Sequence, residues 1–170
     1  MTKFRSLPSK MNSVQFVGKF GGVYEHSPWV AERAWAHGIT KKHDEMEELA
    51  DLMARIVADA DELEKHTLII AHPDLAGKAA VKGELTAAST SEQAGAGLDN
   101  CTAEEFAVFQ DYNAAYKEKF GFPFIMAVKN SDRRKILAGF EARLQNSVEE
   151  EFTTALAEID KIARFRLAEL

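Results

Sequence analysis

The residues best suited to acid/base chemistry lie between Leu68 and Gln93. An apolar run ends there at His72-Pro73-Asp74-Leu75, and a polar segment, Ser89 to Gln93, follows after a short connection. Histidine is the side chain whose unperturbed pKa lies near neutrality, and a proline disfavours helix at the residue before it. The sequence therefore predicts that His72 lies at a helix end, where it can transfer a proton.

Both parts of this region also have an ordinary structural interpretation. His72 at a helix C-terminus would complement the helix dipole or bind nearby carbonyls. Ser89 followed by Glu92 matches a capping box, in which the serine caps a short helix and the glutamate binds the amide of the cap. The cap is compatible with a site, because the same helix N-terminus would direct Ser89, Glu92, Gln93 and backbone amides at an anionic or carbonyl-rich ligand.

Two features of the C-terminal half add to this set. Gly121 and Pro123 end a helix that begins after Thr102, which leaves the apolar segment Phe124 to Val128 extended. Without a partner strand, its backbone groups can serve a ligand. On the last helix Arg166 falls among apolar positions that step by four and three, so its guanidinium must either reach solvent or meet an anion.

The amino-acid composition indicates which classes of molecule this protein can bind. Of 170 residues, 46% are hydrophobic and 28% are charged, and the formal net charge is -6. An acidic chain of this kind lacks the basic surface that nucleic acids and anionic membranes require, so a small molecule or a protein is the expected partner. A single cysteine, Cys101, and the lack of a recognisable signal or membrane-spanning segment lead us to expect a cytoplasmic protein.

Along most of the chain the apolar residues recur every three or four positions, as in helices, and the alternating pattern of strands is nearly absent. We therefore predict an all-α fold, a single-domain bundle of roughly eight to ten helices over residues 1–170, with residues 1–11 as a loose start. The helix after Thr102 carries one apolar stripe that is interrupted by Asn113, which we interpret as a buried hydrogen-bonding residue. Three further helix starts are predicted, with capping boxes at Thr102–Glu105 and Ser147–Glu150 and a cap at Ser131.

Two other functional classes fit parts of the sequence. His43-Asp44, with His37 upstream, resembles the metal-binding pair of helical phosphohydrolases, although the pair lies in a charged run that is typical of a solvated face. A helical protein-binding module would explain the capping boxes and apolar stripes equally well. It gives no reason, however, for an arginine on the buried face of the last helix.

A combination of short motifs extends along nearly the whole chain. These motifs are His72-Pro73-Asp74-Leu75-Ala76-Gly77, Ser89 with Glu92-Gln93, Ala96-Gly97-Leu98, the passage Tyr116 to Phe124, Arg143-Leu144-Gln145-Asn146, and Arg166-Leu167. Together they resemble the OHCU decarboxylase family, whose name abbreviates 2-oxo-4-hydroxy-4-carboxy-5-ureidoimidazoline decarboxylase. The resemblance implies an all-helical homodimer that needs no metal or organic cofactor and forms (S)-allantoin and CO2 during urate degradation.

The same resemblance implies which residues form the site. The catalytic residues would be His72, Glu92 and Arg166, with Arg164 and Arg143 as alternatives for the arginine. The residues that contact the ureidoimidazoline substrate would be Pro73, Ser89, Thr90, Ser91, Glu92, Gln93, Phe124, Ile125, Met126, Ala127 and Val128. One departure from the family pattern is Lys129-Asn130, where a basic residue followed by glycine is expected.

Overall fold

The computed structural model describes residues 2–170 as an all-helical chain. Nine α-helices lie in this described part: α1 (Ser13–Phe20), α2 (Trp29–His37), α3 (Met46–Ala58), α4 (Glu62–Ile70), α5 (Lys78–Val81), α6 (Ala87–Gly95), α7 (Ala103–Phe120), α8 (Arg133–Arg143) and α9 (Val148–Ala168). Short 3-10 helices occupy Pro8–Lys10, Lys41–Asp44 and Leu98–Asn100. Within residues 2–170 the β-type pairing is limited to one isolated bridge, Lys3 to Glu45. The predicted all-α class is confirmed.

Local hydrogen bonds explain where the longest helices begin and end. Thr102 caps α7 by accepting from the amide of Glu105, whose carboxylate accepts from the amide of Thr102, as the capping-box pattern predicts. Ser147 and Glu150 make the same pair of bonds at the start of α9. Gly121 ends α7 with φ of 79°, a left-handed conformation that favours glycine.

Two predicted caps are wrong because a neighbouring residue takes the role. Helix α6 begins one turn earlier than Ser89, since the Thr86 hydroxyl accepts from the amide of Ser89. Helix α8 is capped by Asp132, whose carboxylate accepts from the amide of Lys135, and not by Ser131. In both cases a competing side chain with good capping preference stands close by in the sequence.

The chain divides into two compact units. The terminal unit comprises residues 2–71 and 160–170, and the central unit comprises His72–Ile159. In the terminal unit the rings of Phe16 and Phe20 lie 4.9 Å apart within a fully buried core. The Tyr24 hydroxyl donates to Asp160 at 2.8 Å, so this unit includes the C-terminal end of α9.

The central unit has an aromatic core of its own. The ring of Phe124 stacks on that of Phe140 with centroids 3.8 Å apart, and Tyr116 meets both rings edge-on. These contacts hold the segment after α7 against α8. None of the described helices combines the length and the apolar character that spanning a membrane requires.

The start of the chain, expected to be loose, makes specific contacts over its described part. The amide and the hydroxyl of Ser9 donate to the two carboxylate oxygens of Asp44 at 2.9 and 2.7 Å. The amide of Phe4 donates to the carbonyl of Asp44 at 3.1 Å, and the Phe4 side chain is buried. Asp44 therefore attaches the N-terminal segment to the 3-10 turn that precedes α3.

His43, beside this attachment, makes the stability of the protein depend on pH. Its Nδ1 accepts from the amide of Thr40 at 3.0 Å, and burial, aided by the charge of Lys42, lowers the pKa of His43 below its ordinary value of 6.5. The folded state thus binds the proton less tightly than the unfolded state. The stabilising contribution of neutral His43 is complete above about pH 6.5 and decreases as the pH falls below that value.

We expect His43→Gln to cost more stability near neutral pH than in mild acid. The glutamine cannot take up a proton, so the variant lacks the acid-linked loss that the wild type suffers. Urea denaturation of both proteins at about pH 7.5 and about pH 5 measures the difference in unfolding free energy. A difference that is the same at both pH values would contradict this account of His43.

Candidate active site

The loop that follows α4 presents His72 at the start of the central unit. His72 is buried, with 8% of its surface exposed, and Pro73 and Asp74 are half-buried. Ala76 has a positive φ of 50°, which is uncommon for a residue with a side chain. The prediction that a helix ends just before His72 is confirmed, and the loop 72–77 must be held in an unfavourable conformation by its surroundings.

Gln93 of α6 binds this loop at two points. Its Oε1 accepts from the amide of Ala76 at 3.0 Å, and its Nε2 donates to the carbonyl of Asp74 at 3.2 Å. Gln93 is buried, so both bonds are protected from water. The side chain that the sequence places among the substrate contacts therefore also supports the loop that carries His72.

Helix α7 completes the support with three side chains spaced by three and four. The contacts are Gln110 Nε2 to the Ala76 carbonyl at 2.8 Å, Asn113 Nδ2 to the Leu75 carbonyl at 2.9 Å, and Lys117 Nζ to an Asp74 carboxylate oxygen at 2.6 Å. Asn113 is the buried hydrogen-bonding residue that the sequence predicts. Each carbonyl from 74 to 76 thus has a side-chain amide as its donor.

Helix α6 carries the polar segment predicted to face a ligand. Ser89 and Gln93 are buried, Glu92 is half-buried, and Thr90 and Ser91 are exposed. Because Thr86 is the cap, Ser89 lies inside the first turn, and the idea of a helix N-terminus that begins at Ser89 does not hold. The buried Ser89 and the half-buried Glu92 are one turn apart and share a face of α6.

A cavity of about 590 Å³ lies within the central unit beside α6. Its polar lining residues include Thr90, Gln93, Asp99 and Thr102, and its apolar ones include Val81, Leu98 and Phe106. Its volume is in the range of small-molecule pockets. Thr90 is therefore placed beside an apolar cavity, whereas Ser89 and Glu92 are not among the residues that line it.

The segment Phe124–Val128 is extended, as predicted, and belongs to no strand. The Phe124 ring packs on Phe140, and the Met126 sulfur lies against Gly139 of α8. Phe124 and Met126 therefore both pack on α8. This agrees with an extended chain, in which every second side chain points to the same face.

The backbone of this segment is available to a ligand. Among residues 2–170, no hydrogen-bond acceptor is found for the amides of Ile125, Met126 and Ala127. Backbone amides in a largely buried segment need a hydrogen-bond partner, and a ligand rich in carbonyl groups can supply one.

Arg166 is buried in the terminal unit, where it meets an anion. Its Nη2 donates to Glu25 Oε2 at 2.8 Å, and the two side chains are 8% and 1% exposed. Its Nη1 lies 3.4 and 3.5 Å from the carbonyls of Gly22 and Val23. Of the two outcomes that the sequence leaves open for Arg166, solvent or an anion, the structure shows the anion.

The two alternative arginines have different surroundings. Arg164 pairs with Glu47 and Asp51 at 2.8 and 2.6 Å on a more exposed face of the terminal unit. Arg143 lies in the central unit with 12% of its side chain exposed, and it pairs there with Glu151 at 2.7 Å. Sequence reasoning did not identify Glu25 or Gln110 as supporting residues, because their partners lie 141 and 34 residues away and follow no local pattern. It also missed Glu151, whose partner Arg143 lies eight residues away in the preceding helix.

Comparison with known proteins decides the family. The family model for OHCU decarboxylase matches residues 9–168. This chain belongs to the OHCU decarboxylase family. The matched region contains every candidate site residue named from the sequence, including Arg166 near its end.

Similar proteins support the family membership along the whole match. A 2-oxo-4-hydroxy-4-carboxy-5-ureidoimidazoline decarboxylase of Haloferax volcanii is 43% identical over 161 residues, which are 95% of this chain and 92% of that protein. A crystal structure of (S)-allantoin synthase has a TM-score of 0.71 and 32% identity, and the match covers 94% of this chain and 50% of that one. An OHCU decarboxylase crystallised in the presence of (S)-allantoin shares the fold, with a TM-score of 0.68 and 20% identity over 94% of this chain and 97% of that one.

Membership of this family also disfavours the phosphohydrolase alternative, as do the contacts of its proposed ligands. The Asp44 carboxylate is occupied by Ser9, and His43 Nδ1 accepts from Thr40. Across residues 2–170, no group of three or more histidine, cysteine or acidic side chains is arranged to hold a metal ion. In this OHCU decarboxylase family member, Asp44 holds the N-terminal segment and His43 caps its own 3-10 turn.

The close fit of the His72 loop predicts a large effect of one methyl group at Gly77. A Cβ at Gly77 would lie 2.7 Å from the Cβ of Asp74 and 3.3 Å from the Asp74 carbonyl. We expect Gly77→Ala to lower the free energy of unfolding by about 1–3 kcal/mol. As a matched control, Gly95→Ala at the end of α6 enters open space and should be neutral or slightly stabilising in the same urea titration.

The buried pair of Arg166 and Glu25 predicts strong energetic coupling. Removing one partner leaves the other charge buried, so Arg166→Met or Glu25→Gln should each cost about 3–5 kcal/mol of unfolding free energy. The double variant should cost much less than the sum. Arg164→Met, which removes a more exposed ion pair two residues earlier, should cost no more than about 1 kcal/mol. Additive losses in the cycle would show that the two side chains are not coupled.

Proposed function

We propose that this protein decarboxylates 2-oxo-4-hydroxy-4-carboxy-5-ureidoimidazoline and releases (S)-allantoin and CO2 in the degradation of urate. The observation that carries the proposal is the family match over residues 9–168, joined by a relative of that name that is 43% identical over 95% of the chain. The similarity to (S)-allantoin synthase, at 32% identity, supports the stereochemistry of the product.

The reaction needs one bond to break and one proton to be placed. The bond between the hydroxyl-bearing carbon and its carboxylate breaks, and CO2 leaves. The electron pair forms a carbon–carbon double bond in the ring, and the electrons of the adjacent carbon–nitrogen double bond move to its nitrogen. That nitrogen takes up a proton from solvent, and an enol-like intermediate forms. A proton added to one face of the neighbouring carbon, with loss of the enol proton, gives a single enantiomer of allantoin. Such chemistry needs a positioned acid and stabilisation of spread charge.

His72 is our candidate for the proton donor. It begins a loop in which the carbonyls of residues 74 to 76 are bound by Gln93, Asn113 and Gln110, so the backbone beside the imidazole has little freedom. A fixed donor reaches one face of a planar intermediate, and this is the condition for a chiral product. We assign Glu92 to orient the imidazole and to contact the substrate hydroxyl.

Backbone groups and polar side chains would make the other contacts with the substrate. Pro73, Ser89 and Gln93 belong to the same unit as His72, and we assign them, with Thr90 and Ser91, to the substrate contacts. The amides of Ile125, Met126 and Ala127 would donate to the ring and ureido carbonyls. A substrate with several carbonyl groups fits a surface that presents several donors.

Arg166 is our candidate for the group that stabilises the negative charge as it spreads. Glu25 fixes the orientation of its guanidinium through Nη2, and a planar, delocalised cation suits a negative charge that is spread over several atoms. We further propose, on the resemblance to the family, that the protein acts in the cytoplasm as a homodimer and without metal or organic cofactor.

Circular dichroism during turnover tests the function and the role of His72 together. The labile substrate is generated in situ from urate by the two preceding enzymes, and the signal of chiral allantoin is followed. Wild type should accelerate its appearance, and His72→Ala should lower the rate about 10²- to 10⁴-fold. His37→Ala, at an exposed position of α2, should act like wild type.

The possible failures have separate meanings. A wild-type protein that does not exceed the spontaneous decay to racemic product would refute the decarboxylase assignment. Full turnover to one enantiomer by His72→Ala would leave the function in place and remove His72 as the proton donor.

A further inference from the structure

Beneath the extended segment Phe124–Val128 lies an arginine that contacts it directly. Arg143, at the end of α8, donates from Nη1 to the carbonyl of Ile125. Its guanidinium carbon lies 4.3 Å from the centroid of the Phe124 ring. One side chain therefore fixes both the ring that anchors the segment and a carbonyl at its centre.

Glu151 of α9 holds this arginine in place. The Glu151 side chain is completely buried, and its Oε1 accepts from Arg143 Nε at 2.7 Å and from the Tyr116 hydroxyl at 2.5 Å. Its Oε2 accepts from Asn146 Nδ2 at 2.9 Å. Burial raises the pKa of Tyr116, so its hydroxyl retains the proton that it donates. Both oxygens of the carboxylate thus have donors.

We propose that Arg143 is a positioning residue for the reaction: with Glu151, it sets the conformation of Phe124–Val128 and thereby the backbone donors that bind the substrate. The inference rests on the proposed function, which assigns this segment to the substrate. It adds a residue that would act through the Ile125 carbonyl and the Phe124 ring rather than by touching the substrate.

Energetics favour a positioning role over a purely stabilising one. Burying two opposite charges costs about as much desolvation as their attraction returns, so a well-packed apolar pair would serve stability equally well. A guanidinium offers something that an apolar side chain lacks, because its planar fork binds several acceptors in fixed directions. Here those acceptors are Glu151, the Ile125 carbonyl and, at 3.4 Å, the Tyr116 hydroxyl.

The chemical identity of arginine matters for the same reason. Lysine would keep the positive charge but is a point donor on a flexible stem, and it cannot bind Glu151 and the Ile125 carbonyl in the same fixed geometry. The Arg143→Lys variant therefore keeps the positive charge and removes the fixed geometry of its donors. We expect the lysine variant to remain folded and to loosen the segment.

Steady-state kinetics and hydrogen exchange test the proposal on the full-length protein. Because the backbone donors would bind substrate and transition state alike, Arg143→Lys should raise KM about 10-fold or more and change kcat less than about 3-fold. Amide exchange measured by mass spectrometry should accelerate in the peptide that contains Phe124–Val128. Glu151→Gln, which keeps the shape of the side chain and weakens its hold on Arg143, should shift both quantities in the same direction by a smaller factor.

A control variant uses another arginine that pairs with a glutamate, in this case through both of its Nη atoms. Arg33 donates to both carboxylate oxygens of Glu64 on an exposed face of the terminal unit. Arg33→Lys should leave KM, kcat and the exchange of the segment unchanged.

Each outcome decides a different question. A fall in kcat at constant KM, in proportion to the loss of folded protein, would show that Arg143 is merely structural and would overturn the proposal. Unchanged exchange in the Phe124–Val128 peptide of both the Arg143 and the Glu151 variants would also overturn it. The exchange measurement needs no substrate, so it tests the positioning of the segment even if wild type proves to lack decarboxylase activity.

Discussion

The candidate site depends on one constraint, which is that buried backbone carbonyls must have hydrogen-bond donors. The loop after His72 leaves the helical conformation and takes a positive φ at Ala76, so its carbonyls lose the partners that a helix would supply. Amide side chains from α6 and α7 replace those partners one by one. Amides suit this task because they are neutral and cost less to bury than a charged donor would. The three carbonyls are thus bound by neutral donors, and the one charged donor to the loop, Lys117, is paired with the Asp74 carboxylate.

The extended segment Phe124–Val128 meets the same constraint in an incomplete way. The carbonyl of Ile125 has a donor in Arg143, whereas the amides of the segment have no acceptor among the described residues. If every backbone group of the segment were hydrogen-bonded within the protein, none could bind a ligand. If none were bonded, the segment would not hold one conformation. A segment fixed by its side chains and by one carbonyl can keep open donors in a defined direction. Pre-organised donors of this kind add binding energy because little ordering is required when the substrate arrives.

The sequence predicted contacts between residues that are close along the chain better than contacts between distant residues. The caps at Thr102 and Ser147 were predictable because both partners lie within one turn, and Asn113 stood out as a polar residue on an apolar stripe. Ser89 and Ser131 failed as caps because Thr86 and Asp132 compete locally, and pattern matching does not weigh such competition. The partners of Gln110 and Arg143 are backbone carbonyls 34 and 18 residues away. Every residue has a carbonyl, so no side-chain pattern marks these partners.

The pairing of Arg166 with Glu25 has a consequence for the chemistry that we propose. The pair carries no net charge, so Arg166 offers directed N–H groups rather than a free positive charge. Decarboxylation converts a carboxylate into neutral CO2, and an unpaired arginine on that carboxylate would stabilise the ground state more than the transition state. Only interactions that strengthen in the transition state increase the rate. In the role that we propose, a guanidinium already neutralised by Glu25 would bind the reactant carboxylate weakly. It would instead favour the charge that moves into the ring as the carbon–carbon bond breaks.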